Sequence, residues 1–471
     1  MKKIITFIAL AILTFTITGC FSFEEVSWME FVDSFDSVYE MNESIDLSKI
    51  KVKVGFTDGK IQEFAANSSE LTVSGVNTTT AGIKTVRITY RTLSVTAQYE
   101  VVNTSGDGIV KVSDWSTFDS AITNSTISTI YVEGVIDSNK TYTITRALSI
   151  IGLKGASINN SIFNLDSSIG TGIIVFKNLI LNDVDSKLSN VIGVGSAAFP
   201  GKIHIDGCEI SNYNIAVEIY SSAAGAAISE LKITNSFFNN NRSKGVYTEN
   251  GNNIVISGTT FNSNATLGNT TPPIALDINL KYRAYNSVLV ENCRFVGNGT
   301  EYMPEQGYFG GPGYTITNFT AALAIKARND GNYAADPAIL NNITIRNNFF
   351  ENNFYAIYLG EPLSYTENDK KYAVPGLGVL NNISLYGNVF ENNKHANIIN
   401  ATTNVLIPSE VMTERGLSDA LVYSSLTPGV KIINYSGVTP NYSAYQESAL
   451  SDKNVANVRS FANVTVINKS K

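Results

Sequence analysis

Histidine and cysteine are scarce in this chain, two of the first and three of the second among 471 residues. Cys20 closes an apolar N-terminal stretch, so only Cys208 and Cys293 are left for the body of the protein, too few for a disulfide framework. Positive charge is short as well. The formal net charge of -7 argues against a nucleic-acid partner, which demands a basic surface, although a local basic patch would still suit an acidic polysaccharide. Long apolar runs are missing too: the one at the N-terminus is shorter than the roughly 20 residues a membrane span needs.

What the chain does have is 44% apolar residues, 35 glycines, 23 tyrosines and 23 phenylalanines, and one phrase that recurs. "ITIRNNFFENN" at 343–353 has counterparts in "IVFKNLIL" at 174, "IHIDGCEI" at 203, "LKITNSFF" at 231, "IVISGTTF" at 254, "VLVENCRF" at 288 and "ISLYGNVF" at 383. The shared template is apolar, any, apolar, any, Asn or Gly, small, any, apolar, with no helical periodicity. Its fifth position is Asn178, Gly207, Asn235, Gly258, Asn292, Asn347 and Gly387 in turn, the residue types that tolerate left-handed backbone. Each copy therefore reads as a strand, a one-residue kink and a second strand. Units of roughly 23 to 30 residues with insertions in the later copies are what solenoid repeats show. Phe238, Phe261, Phe295, Phe350 and Phe390 should form one internal stack, with Ser236, Thr259, Asn348 and Asn388 as a polar ladder beside it. Cys208 and Cys293 share the ladder position three coils apart. At about 4.8 Å per coil they are some 14 Å from one another, beyond the roughly 7 Å a disulfide allows, and should be buried free thiols.

The pattern resembles the right-handed parallel β-helix of the pectate-lyase-like superfamily over residues 108 to 400. "VSDWSTFDSAI" at 112–122 looks like the amphipathic helix that caps the N-terminal end of such a cylinder, and "TIYVEGVI" and "LSIIGLKGASI" like its first coils. The resemblance implies an all-β single-stranded solenoid. Coils of this kind bury an apolar stack along the axis and satisfy backbone groups by coil-to-coil hydrogen bonds.

Three segments flank the solenoid. Residues 1–20, "MKKIITFIALAILTFTITGC", read as a secretory signal, and their end resembles the bacterial lipobox, which implies lipidation of Cys20 and an extracytoplasmic, lipid-anchored place in a bacterial cell envelope. Residues 24–104 alternate with period two between Asp-Gly and Thr-Ala-Gly turns, as an antiparallel β-sandwich should. Through Phe56, Asp58, Gly59, Gly75, Thr80, Gly82 and Tyr90 this segment is similar to the bacterial immunoglobulin-like domains, usually spacers. Residues 401–471 leave the template and read as a C-terminal cap or tail over the last coil's open edge.

Chemistry is expected on a further strand in each coil: "IAVEIY" at 215, "KGVYTE" at 244, "IALDIN" at 274, "LAIKAR" at 323 and "YAIYLG" at 355. Alternation sends Val217, Val246, Leu276, Ile325 and Ile357 inward and turns Glu218, Tyr247, Asp277, Lys326 and Tyr358 to solvent as a column, with Tyr220, Glu249, Asn279 and Arg328 beside it. Insertions at 296–320, 328–341 and 360–378 flank this strip and bring Tyr302, Tyr308, Phe309, Tyr314, Tyr365 and Tyr372. Two functions from different classes fit. In the first, the strip and loops bind a polysaccharide or another surface ligand through Glu218, Tyr247, Glu249, Tyr358, Tyr308 and Phe309, and no cofactor is required. In the second, the chain is a polysaccharide lyase that eliminates across a uronate: Lys326 or Arg328 is the base, and Asp277, Glu249 and Glu218 are ligands for Ca2+. The catalytic motifs of the polygalacturonases and calcium-dependent pectate lyases are absent. The only histidines are His204, an outward strand residue, and His395. Fold resemblance alone does not establish activity.

Overall fold

The computed structural model describes residues 25–36, 38–266, 273–299, 320–328, 338–359, 363–367, 370–374, 379–380, 383–393 and 396–400, together with short strands after residue 400. The chain divides into two units, residues 1–106 and 107–471, each with its own apolar core.

In the first unit, the strands Val26–Asp33, Lys51–Phe56 and Ile61–Ala65 form one antiparallel sheet. A second sheet runs in the order Val38–Glu40, Leu93–Val102, Gly82–Tyr90, Thr72–Ser74. Period-two alternation buries Val52, Val86, Ile88, Tyr99 and Val101 between them, and the Asp-Gly turn places Gly59 at φ 87. One pairing departs from the antiparallel expectation: Val38–Glu40 lies parallel to the strand Leu93–Val102. The segment from Met41 to Leu93 returns the chain between them, so they need not form a hairpin.

The second unit is built from parallel strands. Each template copy supplies a strand pair that stacks on the next copy with every template position in register: Ile203 faces Leu231, Leu231 faces Ile254, Ile254 faces Val288, Val288 faces Ile343 and Ile343 faces Ile383. The fifth positions all adopt the left-handed backbone, with φ between 50 and 65. A second sheet holds nine strands in the order Thr141–Ile144, Ile162–Leu165, Ile192–Val194, Ile215–Ile219, Lys244–Thr248, Ile274–Leu280, Ala321–Ala327, Tyr355–Leu359, Ala396–Asn400. The chain thus visits both sheets once per coil, an all-β arrangement consistent with a parallel β-helix.

The core follows from that register. Phe238, Phe261, Phe295, Phe350 and Phe390 stack with ring centroids 5.1, 4.9, 4.7 and 5.3 Å apart and planes within 12°. The sixth template position is the polar ladder: the backbone amide of Cys208 donates to Ser236 Oγ at 3.2 Å, that of Cys293 to Asn348 Oδ1 at 2.9 Å, and that of Asn348 to Asn388 Oδ1 at 3.1 Å. Five positions further on runs a second ladder that the eight-residue template leaves out. Asn241, Asn264, Asn298, Asn353 and Asn393 each accept, on Oδ1, the backbone amide of the preceding coil's residue, at 3.0 to 3.1 Å. The residue before each of the five, Asn240, Ser263, Gly297, Asn352 and Asn392, is a second left-handed kink. These ladders satisfy buried amides and carbonyls where the chain turns and no strand partner is available.

The N-terminal end is closed by the helix Trp115–Thr123. Asp114 caps it by accepting from the amides of Ser116 and Thr117 at 2.9 and 3.0 Å. Phe118, Ala121 and Ile122 face the first coils, Phe118 edge-on to Tyr142 and Phe163. At its far end the guanidinium of Arg146 donates to the carbonyls of Ala121, Ile122 and Ile127, filling acceptors that a helix terminus leaves open. Beyond residue 400, the strands Val430–Asn434 and Val464–Asn468 extend the template sheet in parallel from Ile383–Tyr386; most of 401–471, expected to be a cap, lies outside the described residues.

Candidate functional site

The outer face of the nine-stranded sheet carries the candidate site. In each strand of its middle part, two successive residues turn inward before alternation resumes. Ala216 and Val217, Ala275 and Leu276, Ala322 and Leu323, and Ala356 and Ile357 all lie in the core, and the Gly245 Cβ position likewise points at Phe261. The first outer row after that step runs through Asn164, Gly193, Glu218, Tyr247, Asp277, Ala324 and Tyr358. Asn279 and Lys326 face one another in the next outer row.

The expected column therefore needs correcting at one rung. Lys326 does not stand in line with Asp277 and Tyr358; Ala324 does. Ile325 still points inward, but opposite Ile278 rather than Leu276. The two residues are nevertheless brought together, because Lys326 Nζ reaches diagonally to 2.9 Å from Asp277 Oδ1.

The expectation that the strip faces solvent also fails over its middle and later rungs. Asp277 is 1% exposed, Lys326 5%, Glu249 3% and Tyr358 1%. A carboxylate so buried must be paired, and Lys244 supplies the second partner, its Nζ 2.7 Å from Asp277 Oδ2 and 5.5 Å from the centroid of the Tyr247 ring. Burial alone would raise the Asp277 carboxyl. Lys244 and then Lys326 outweigh it and hold the group below the usual carboxylate range. One rung back, Glu249 is bound by Lys281, by the Tyr247 hydroxyl at 2.5 Å and by the amide of Ser221 at 3.0 Å. Asn279 Nδ2 donates to the same Tyr247 hydroxyl at 3.1 Å. Burial, then the charges of Glu249 and Asp277, push the Tyr247 hydroxyl far above its ordinary value. Three lysines thus pair with two carboxylates in a dry network.

Toward the N-terminal coils the same face opens. Tyr220 is 42% exposed, with its ring edge-on to Tyr247 at 6.1 Å. Its hydroxyl donates to Glu218 Oε1 at 2.6 Å, and Asn190 Nδ2 donates to Glu218 Oε2 at 2.8 Å. Asp277, Glu249 and Glu218 stand on different rungs, and among the described residues no three His, Cys, Asp or Glu side chains are grouped to hold a metal ion. Arg328 follows Lys326 and donates its backbone amide to Leu280 at 2.9 Å. Tyr308, Phe309, Tyr302, Tyr314, His395 and Cys20 lie outside the described residues. Tyr365 and Tyr372 are register partners in an antiparallel hairpin, Leu363–Glu367 with Lys370–Val374.

Sequence reasoning missed Lys244, Lys281 and Asn190. Lys244 opens "KGVYTE", and simple alternation puts it on the side of Val246; the inward pair Gly245 and Val246 reverses that. Elsewhere, His204 is the outward strand residue expected and lies 2.6 Å from Glu230. Cys208 and Cys293 are buried free thiols, each pushed up to about 12 chiefly by burial.

No curated protein matches the sequence. Within the first unit, residues 32–102 match the model of the bacterial Ig-like domain (group 3), in agreement with the sandwich described above.

Proposed function

We propose that the chain is a lipid-anchored protein of the bacterial cell envelope, held by an acylated Cys20, that binds a polysaccharide on the outer face of its nine-stranded sheet. A bacterial Ig-like domain followed by a unit of long parallel sheets fits a surface protein. The observation that carries the binding reading is Tyr220: an exposed ring fixed through its own hydroxyl to Glu218, which Asn190 holds in turn. An aromatic face beside a carboxylate and an amide suits a pyranose, which presents an apolar C–H face and a rim of hydroxyls. Holding the ring in place before binding lowers the ordering cost.

The test is retention of the full chain in native gels cast with individual polysaccharides. Tyr220→Ala should abolish retardation by whichever polysaccharide slows the wild type. Equal retardation of both proteins would remove the site from this face.

A lyase is the second reading, favoured by one observation: Lys326 and Asp277 meet across adjacent rungs. Elimination needs a neutral lysine within reach of a sugar proton, whereas this ammonium is buried and engaged by a carboxylate. The same network serves the binding reading as a rigid base for the exposed end of the face.

A further inference from the structure

Asp166, Gly195 and Tyr220 each follow the last paired residue of neighbouring strands in the nine-stranded sheet, and so form one short outer row. Its middle member is unusual. A Cβ added at Gly195 would meet no atom within 4 Å, and its φ is not among the left-handed ones. Neither packing nor backbone demands glycine there, although glycine loses more conformational freedom on folding than any other residue. What the position gains is space.

That space is a cavity of about 280 Å³ lined by Thr143, Asn164, Leu165, Asp166 and Ala197 around Gly195. The neighbouring glycine is different. A Cβ at Gly193 would lie 2.9 Å from Asn164 Oδ1 and 3.3 Å from Asn190 Nδ2, so two amides close over Gly193 and bound the notch on that side. Asp166 is exposed, and the Ser168 amide and hydroxyl hold its carboxyl below the usual range. A carboxylate has about four acceptor sites, and Ser168 takes two of them, its amide at 2.8 Å. The rest suit hydroxyl donors, in bonds stronger than neutral ones. None of the lining residues is a lysine or arginine, and Glu218 stands nearby on the rung of Tyr220, so a ligand carboxylate would meet only like charge.

We propose, building on the glycan-binding reading above, that the notch over Gly195 holds one uncharged pyranose unit of the polysaccharide, hydrogen-bonded by Asp166 and Asn164 and flanked by the ring of Tyr220. The ligand class is then a neutral glycan, not a uronate polymer.

The experiment is titration of the full chain in detergent with dextran, galactomannan and xylan as neutral probes, and polygalacturonate and alginate as anionic ones. A neutral probe should bind at least tenfold more tightly than either anionic one. Gly195→Leu, which fills the notch without straining the backbone, should weaken that binding at least tenfold at an unchanged melting temperature. Asp166→Asn, which keeps the local turn, should weaken it comparably, while Lys202→Ala on the other sheet should leave it unaltered. Wild-type affinity in both Gly195→Leu and Asp166→Asn, with binding lost in Tyr220→Ala, would overturn the notch and leave the glycan-binding reading standing. Equal or tighter binding of a uronate polymer would overturn the neutral assignment. Binding of none of the five would overturn both.

Discussion

Asn347 and Asp277 show the two ways in which single residues govern this protein. Asn347 sits at φ 55 with an exposed side chain, so its value lies in its backbone. Asn347→Val should cost about 1–2 kcal/mol, the left-handed penalty of a residue with a bulky Cβ, and Asn347→Gly almost nothing; urea titration of both would measure it. Asp277 acts through charge. Asp277→Asn leaves Lys244 and Lys326 buried without their counter-ion, and breaking such a pair costs about 3–5 kcal/mol at neutral pH. The sign of the pH dependence follows from the depressed carboxyl. The stability it contributes is fully present above the ordinary value of 3.8 and is lost as pH falls through the lower folded value. Melting temperatures of wild type and variant should therefore differ at pH 7 and converge in strong acid; a gap that persists there would show that the charge is not the cause. Cys208 and Cys293, buried and pushed up to about 12, should resist alkylation until the chain is unfolded.

At the scale of elements, the repeat is a device for making each coil complete its neighbours. Asn298 accepts from the Asn264 amide at 3.0 Å and donates to Phe261 O at 2.9 Å and Asn353 Oδ1 at 3.0 Å. Asn298→Ala takes this partner from two buried groups of the preceding coil, the Asn264 amide and the Phe261 carbonyl, each costing about 1–3 kcal/mol if left unsatisfied, and should destabilise more than the exposed Asn352→Ala; thermal melts would rank them. Much of this scaffold was legible in the sequence. The kink positions, the phenylalanine stack and the first ladder all recur at fixed template offsets, where the backbone or core tolerates few residue types. The register of the strand Ala321–Ala327 was not legible. A one-residue slip turns every side chain to the other face, but a two-residue slip restores it. "AALAIKA" is apolar enough to sit either way, and the insertion before it removes the coil count. Burial of the outward polar row was hidden for a related reason. Alternation gives a side chain's direction, while its exposure depends on partners such as Lys244 and Lys281 that meet it only across coils.

For the whole molecule, two units with separate cores should unfold as two calorimetric transitions. Phe295→Ala, removing about 3–5 kcal/mol from the solenoid stack, should lower one transition and leave the other in place. A common shift of both would mean the units do not melt independently. The proposed division of labour follows the same line: the repeats supply rigidity, the buried ion pairs supply a dry base, and the exposed face beside Tyr220 does the recognising. The most direct measurement is to titrate the full chain with neutral and uronate polysaccharides, following in the same samples the heat of binding and the ultraviolet absorbance of an unsaturated product. Saturable heat with a neutral glycan, lost in Tyr220→Ala and accompanied by no rise in absorbance, is the predicted result. An absorbance rise on a uronate substrate that disappears in Lys326→Ala would contradict it and establish a lyase instead.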